Sequence, residues 1–355
     1  MHFSFSSADL VLKAAGGVTK FDNVVSECWN RLHDTGQLRY KLQPSLVRFT
    51  AGPSTARILI LVSNGYSLTQ CSLNQSNPNR FLLRRTPIAP TSLDEPLTGF
   101  SFTRVKSNEV ICTLAETNTK QDPCTLLVNI SPFTPLHCLF VPNPENLYNQ
   151  YLRRSALRSA IKCILLSDNH RMCMGFNSLL AHASVNHLHF HLWESPDYLW
   201  TMCTELLPKR NLQNYLEVRG HPVDNFAREL TSLEDLENFV DSVWRVVEQC
   251  QILRIAHNLF LARGKNSGFL RAIIWPRRSV YTAKSLGPTD ANSSANANGY
   301  NIAVAELAGM FVVASDNVAE QLSQHQGLIS ALEDEKLPSD VASRLVNELC
   351  GDTVM

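Results

Sequence analysis

His187, His189 and His191 alternate with Leu188, Phe190 and Leu192 in the run Ala183-Ser-Val-Asn-His-Leu-His-Phe-His-Leu-Trp193. Successive side chains of an extended strand point to opposite faces. The pattern therefore predicts a buried sheet strand with three imidazoles on one face and three large apolar side chains on the other. The apolar face demands a core to pack on, and the histidine face concentrates chemistry as no other segment of the chain does.

Three uses compete for such a face. Polar side chains can simply line a solvated sheet surface, the usual fate of a lone histidine. Neutral imidazoles are also common ligands for zinc and its neighbours, and His182, Glu194 and Asp197 are the local candidates to complete such a site. Alternatively, a neutral imidazole can attack phosphorus, forming a covalent phosphoramidate while its neighbours orient it. The residues upstream favour the nucleophile. Gly175-Phe-Asn-Ser178 and Ser184-Val-Asn186 supply small hydroxyl and amide side chains, with backbone at Gly175 able to come close to a ligand. These groups suit phosphate rather than a metal, although Asn and Ser also cap helices and close turns.

The segment from Gly175 to His191 resembles the histidine-triad superfamily, and within it the GDP-hexose phosphorylases: animal GDP-D-glucose phosphorylase and plant GDP-L-galactose phosphorylase. Three further stretches share the resemblance. Arg80-Phe-Leu-Leu-Arg-Arg-Thr-Pro87 is similar to an arginine-rich N-terminal segment, and Phe100-Ser-Phe-Thr-Arg-Val-Lys106 to a Phe-Asn-Phe-x-Lys strand. Val128-Asn-Ile-Ser-Pro-Phe-Thr-Pro-Leu-His-Cys-Leu-Phe-Val-Pro142 is similar to the strand-turn-strand that precedes the superfamily's active site.

The resemblance implies an α+β fold of histidine-triad-like antiparallel sheets with flanking helices, two related halves in one chain. It makes His189 the nucleophile, with His187 and His191 as hydrogen-bonding and proton-handling partners. It assigns Asn177, Ser178 and Ser184 to the phosphate under attack. Arg84, Arg85 and Lys106 are candidates for a second anion site, because arginine pairs bidentately with phosphate oxygens. Basic residues at strand edges also guard against mispairing, the role favoured for Arg80. The implied reaction is phosphorolysis of GDP-D-glucose to GDP and D-glucose 1-phosphate through a guanylyl-histidine, with inorganic phosphate as second substrate and neither cofactor nor metal.

Two departures are informative. Plant members carry Gln at the third triad position where this chain has His191, which points to the animal branch and to GDP-D-glucose rather than GDP-L-galactose. Ser101 stands where the family strand has Asn. A histidine-triad hydrolase, using water in place of phosphate, and a non-catalytic nucleotide- or metal-binding protein that has kept the pocket are the alternatives. His137 resembles a superfamily position of structural use, and His170, His182, His221 and His257 read as ordinary surface or core histidines.

Composition sets limits. With 355 residues, 44% of them hydrophobic, and 32 basic against 32 acidic side chains, the chain can bury a large core and has no net pull toward nucleic acid or membranes. Its ten cysteines are scattered without a C-x-x-C pair, so they read as reduced thiols. The related galactose-1-phosphate uridylyltransferases often hold a structural zinc through such a pair, and its absence argues against that zinc here. No run of about 18 apolar residues is present, nor a basic-then-apolar leader after Met1. The expectation is a cytoplasmic enzyme; whether it forms a homodimer is left open.

Helical spacing predicts helices over Phe21 to Leu32, from about Asn146 to Leu166, and from Leu233 to Leu253, with further helical pattern over 317–349. Short strands are expected between Ile58 and Leu114 and at 126–142. The segment 285–299, rich in small polar residues, reads as a surface loop. Leu259 to Pro276 echoes the plan of 126–142, and Gly299-Tyr-Asn301 echoes Gly175-Phe-Asn177 before an expected strand from Ile302 to Val313. This suggests a catalytic half at 1–215 and a second half without a triad at 216–355.

Overall fold

Every residue of Met172–Asn177, Ala256–Arg263 and Leu270–Arg277 is buried, so these strands must be covered on both faces. A computed structural model of the chain describes residues 1–38, 42, 46–51, 57–62, 100–119, 123–212, 214–280, 300–313, 315–323 and 325–351. Arg80, Arg84, Arg85 and the segment 285–299 lie outside the described residues.

The chain begins with β1 (His2–Phe5), α1 (Lys20–Asp34), β2 (Leu46–Ala51), β3 (Arg57–Val62), β4 (Val110–Glu116), β5 (Cys124–Val128) and β6 (Cys138–Pro142). It continues through α2 (Arg154–Leu165), β7 (Met172–Asn177), β8 (Phe190–Glu194), α3 (Trp200–Cys203), β9 (Leu206–Pro208), β10 (Leu216–Val218) and β11 (Phe226–Leu230). Then come α4 (Leu236–Ile252), β12 (Ala256–Arg263), β13 (Leu270–Arg277), α5 (Val304–Ala308), β14 (Met310–Val313), α6 (Asp316–Ser323), α7 (His325–Glu333) and α8 (Ser339–Gly351).

Eleven strands form one sheet in the order β1-β4-β5-β6-β8-β7-β12-β13-β11-β10-β9, and β14-β3-β2 form a second. The large sheet is antiparallel except where β1 joins β4. Its middle strands alternate strictly between two cores. Met174, Phe176, Leu192, Leu259 and Leu261 face a core shared with Trp29 of α1, Ile161 of α2, Val243 of α4 and Leu349 of α8. Cys173, Trp193, Phe260 and Trp275 face the other core, shared with Trp200 of α3, Leu307 of α5 and the small sheet. Period-2 side-chain alternation thus makes both faces apolar, which is why these strands read as apolar runs rather than amphipathic ones.

Several expectations change. The second helix starts at Arg154, not Asn146, because Asn143 and Leu147 flank a 3-10 turn with left-handed φ of 37° and 51° that breaks the helical path. Phe100 to Lys106 forms 3-10 turns instead of a strand. The helical pattern over 317–349 is divided among α6, α7 and α8. Leu259 to Pro276 forms an adjacent antiparallel pair as 126–142 does, but β12 and β13 lie beside β7 in the middle of the sheet, whereas β5 and β6 lie between β4 and β8. The expected strand from Ile302 to Val313 is the short helix α5 followed by β14, which pairs with β3 in the small sheet.

Candidate active site

The triad sits where β8 begins. Only His191 lies in the strand, which starts at Phe190; His187 and His189 precede it. The strand is shorter than the alternation predicts because the backbone ahead of it is held elsewhere. Leu188 N–H donates to the Tyr148 carbonyl at 2.7 Å, and His189 N–H donates to Gln150 Oε1 at 2.9 Å. The loop between β6 and α2 therefore replaces a neighbouring strand as the partner of residues 188 and 189.

All three rings are fixed by specific bonds. His189 is 3% exposed, and its Nδ1 lies 2.7 Å from the His187 carbonyl and 3.0 Å from Gln150 Oε1. Both partners are acceptors, so Nδ1 carries the proton and Nε2 carries the in-plane lone pair. His187 Nδ1 accepts from Phe102 N–H at 3.0 Å and contacts Ser101 Oγ at 3.3 Å. That puts its proton on Nε2, which is buried with no partner among the described residues. Burial pushes the His187 pKa down to about 4, so the ring is neutral at physiological pH. His191 Nδ1 lies 3.0 Å from Nε2 of His137, whose Nδ1 accepts from Phe133 N–H at 3.3 Å. The same Nε2 lies 3.1 Å from Asn129 Nδ2, so His137 bridges His191 and Asn129. The His189 and His191 rings meet edge to face with centroids 5.3 Å apart.

The Phe102 ring packs 5.2 Å from both His187 and His189, centroid to centroid. The turns at Phe100 to Lys106 therefore reach the triad, although not as a strand. Ser101 is part of that contact. Lys106 is exposed at the start of the second turn.

Asn177 and Ser178 have structural work that the sequence did not reveal. Asn177 Oδ1 accepts from Asn258 Nδ2 at 2.6 Å and from Val304 N–H at 3.0 Å, joining β7 to β12 and α5. Ser178 Oγ accepts from His257 N–H at 3.0 Å. These contacts occupy acceptor oxygens and leave the Asn177 amide N–H and the Ser178 O–H as the groups suited to an anion. Ser184 is exposed in the loop leading to His187. Gly175 does not open toward a ligand: a Cβ there would fall 2.5 Å from Val304 Cγ1 and 3.1 Å from the Trp193 ring, so its bare backbone serves packing. Behind Asn258, the fully buried Arg277 reaches Asn258 Oδ1 at 3.4 Å, donates to the Ile302 carbonyl and pairs with Glu335.

Of the local metal candidates, Glu194 pairs with Arg171 at 2.6 Å. Among the described residues, no cluster of three or more His, Cys, Asp or Glu side chains has the arrangement to hold a metal ion. No described helix is long and apolar enough to cross a membrane.

Residues 20–193 match the family model described as GDPGP1-like, N-terminal domain, which ends on β8 and so includes the whole triad. The chain is a relative of the GDP-D-glucose phosphorylases. It is an enzyme of the nucleotidyltransferase kind. It is 29% identical to GDP-D-glucose phosphorylase 1 of Danio rerio over 322 residues, covering 82% of this chain and 80% of that protein. The Homo sapiens protein of the same name is 27% identical, over 92% of this chain and 83% of its own length. GDP-L-galactose phosphorylase 2 of Arabidopsis thaliana is 27% identical over only 34% of this chain and 32% of its own. The fold is that of yeast Ap4A phosphorylase, with a TM-score of 0.60 at 16% identity, covering 91% of this chain and 97% of that one.

Gln150 is bonded to His189 and was not singled out in the sequence. It is buried, and its bonds reach residues 27 and 39 positions away, so no local pattern marks it.

Proposed function

We propose that the protein catalyses phosphorolysis of GDP-D-glucose, giving GDP and D-glucose 1-phosphate. The observation that carries this reading is the ring geometry of His189: Nδ1 donates to the His187 carbonyl and Gln150 Oε1, which leaves the lone pair on Nε2. Nε2 attacks the α-phosphorus, and the bond from that phosphorus to the bridging oxygen breaks, its electron pair leaving with glucose 1-phosphate. An oxygen of inorganic phosphate then attacks the same phosphorus, the phosphorus–nitrogen bond breaks, and GDP departs. Double displacement splits one hard step into two. His191 and His187 supply N–H donors toward the phosphoryl oxygens, with the Asn177 amide and the hydroxyls of Ser178 and Ser184. Arg84, Arg85 and Lys106 are assigned to the incoming phosphate. The animal relatives align over most of the chain and the plant relative over a third, which favours D-glucose over L-galactose as the sugar.

Strand order supports reading the chain as two halves. β5-β6-α2-β7-β8 assemble as β5-β6-β8-β7, and β10-β11-α4-β12-β13 assemble as β10-β11-β13-β12, meeting where Asn177 pairs with Asn258. We read them as related histidine-triad-like halves, only the first carrying the triad. We divide the halves at 1–215 and 216–355, with β9 pairing on β10 across that point. A cytoplasmic location goes with this reading.

The test is an assay of GDP-D-glucose turnover with and without phosphate. The expected result is dependence on phosphate concentration, GDP as product, and reversal when GDP and glucose 1-phosphate are supplied. GMP formation at an unchanged rate without phosphate would overturn it in favour of a hydrolase in which His191 helps activate water.

A further inference from the structure

We infer that Gln150 is a positioning residue for the nucleophile, orienting the His189 ring and accepting the charge it gains on bonding to phosphorus. This rests on His189 being the nucleophile, as proposed above.

Gln150 lies in the segment between β6 and α2 and is 2% exposed. Its Nε2 donates to the His189 carbonyl and to the Asn177 carbonyl, each at 3.0 Å. Its Oε1 accepts from His189 N–H at 2.9 Å and lies 3.0 Å from His189 Nδ1. Two carbonyls face one end of the amide and two N–H groups face the other, so only one amide orientation satisfies all four contacts. Gln150 N–H in turn donates to Asn186 Oδ1 at 3.0 Å. One side chain thereby holds the backbone of His189 on both sides, the ring of His189 at Nδ1, and the end of β7 at Asn177. Its full hydrogen-bonding capacity is spent on the nucleophile and the strand end beside it.

The chemical consequence lies at Oε1. As Nε2 bonds to phosphorus, the imidazole becomes cationic and Nδ1–H becomes a stronger donor. A preorganised acceptor then gains strength during the step without having to move. The same acceptor raises the basicity of the free ring, because it favours the imidazolium. The titratable groups recorded around that ring are His191, at 5.3 Å between centroids, and His187; His137 stands behind His191. Phe102, packed on the ring, is neutral. Removing Oε1 should therefore slow attack and lower the pKa of the attacking nitrogen together.

The experiment uses the full-length protein with GDP-D-glucose and no phosphate, following single-turnover formation of guanylylated protein across pH. Gln150→Met keeps the side-chain length and removes both polar ends. It is expected to stay folded, to form the adduct on the order of 10²-fold more slowly, as small misplacements of a reacting group do, and to have its acid limb at lower pH than the wild type. Gln150→Asn keeps the amide but withdraws it by one methylene, and should change in the same directions if the Met variant does not fold. A purely structural residue would lower only the fraction of protein that reacts. Wild-type rate and acid limb in a folded variant, or reduced amplitude alone, would overturn the inference. Absence of any adduct in the wild type would instead remove the covalent mechanism beneath it.

Discussion

His189→Ala is expected to abolish turnover, by roughly four orders of magnitude or more, while leaving a folded protein. In the proposed mechanism the ring makes the bond to phosphorus, so no neighbour can substitute for it. In the same proposal His187 and His191 do not bond to phosphorus; their alanine variants should lose less, on the order of 10²-fold. Folding should survive because the ring packs at the mouth of the strand, against Phe102 and His191, rather than within either apolar core. The substitution leaves the His187 carbonyl and Gln150 Oε1 short of one donor, which costs about 1–3 kcal/mol. Steady-state assay beside a thermal melt separates the two effects. Activity near wild type in folded His189→Ala would end the nucleophile assignment.

The second large effect is loss of stability in acid. Burial holds His187, His221 and His257 down to about 4, and holds His137 well below its ordinary value with His191 adding to the shift. An unfolded chain takes up protons at these rings near pH 6.5, whereas in the folded chain His187, His221 and His257 resist until about pH 4. Their contribution is present above pH 6.5 and is lost as pH falls toward 4. By pH 5 each fully shifted ring has given up about 2 kcal/mol. Glu306 acts in the opposite sense: burial raises its carboxyl to about 7, so acid favours the fold at that position. Burial likewise lowers His182, to about 3, and raises Glu335; five histidines outweigh two carboxyls. The melting temperature should fall between pH 7 and pH 5 by on the order of 10 °C. An equal or higher value at pH 5 would contradict the neutral, buried state of these rings.

Amphipathic elements were legible because their pattern is local. Val25, Cys28, Trp29 and Leu32 fall on one face of α1, and Thr19 with Asp22 forms its capping box. The strands β5 and β6 appear within a residue or two of their expected places. What failed depends on distant partners. Nothing near His187 announces that Tyr148 and Gln150 will take the hydrogen bonds a strand would otherwise make. A hairpin such as β12 and β13 looks alike wherever it joins a sheet, so its likeness to 126–142 could not say where in the sheet it joins. Within the site, the period of three histidines was readable, and so was the polar character of Asn177 and Ser178. Their use as braces was not, because His257, Asn258 and Val304 arrive from the other half of the chain. The link from His137 to His191 spans 54 positions and is likewise invisible in sequence.

The most direct test is to find the covalent intermediate. Full-length protein incubated with GDP-D-glucose in the absence of phosphate, digested under alkaline conditions and examined by mass spectrometry, should carry one guanylyl group on the peptide containing His189. Added phosphate should discharge it as GDP. Turnover without any guanylylated peptide, or with the group on a residue other than His189, would contradict the account.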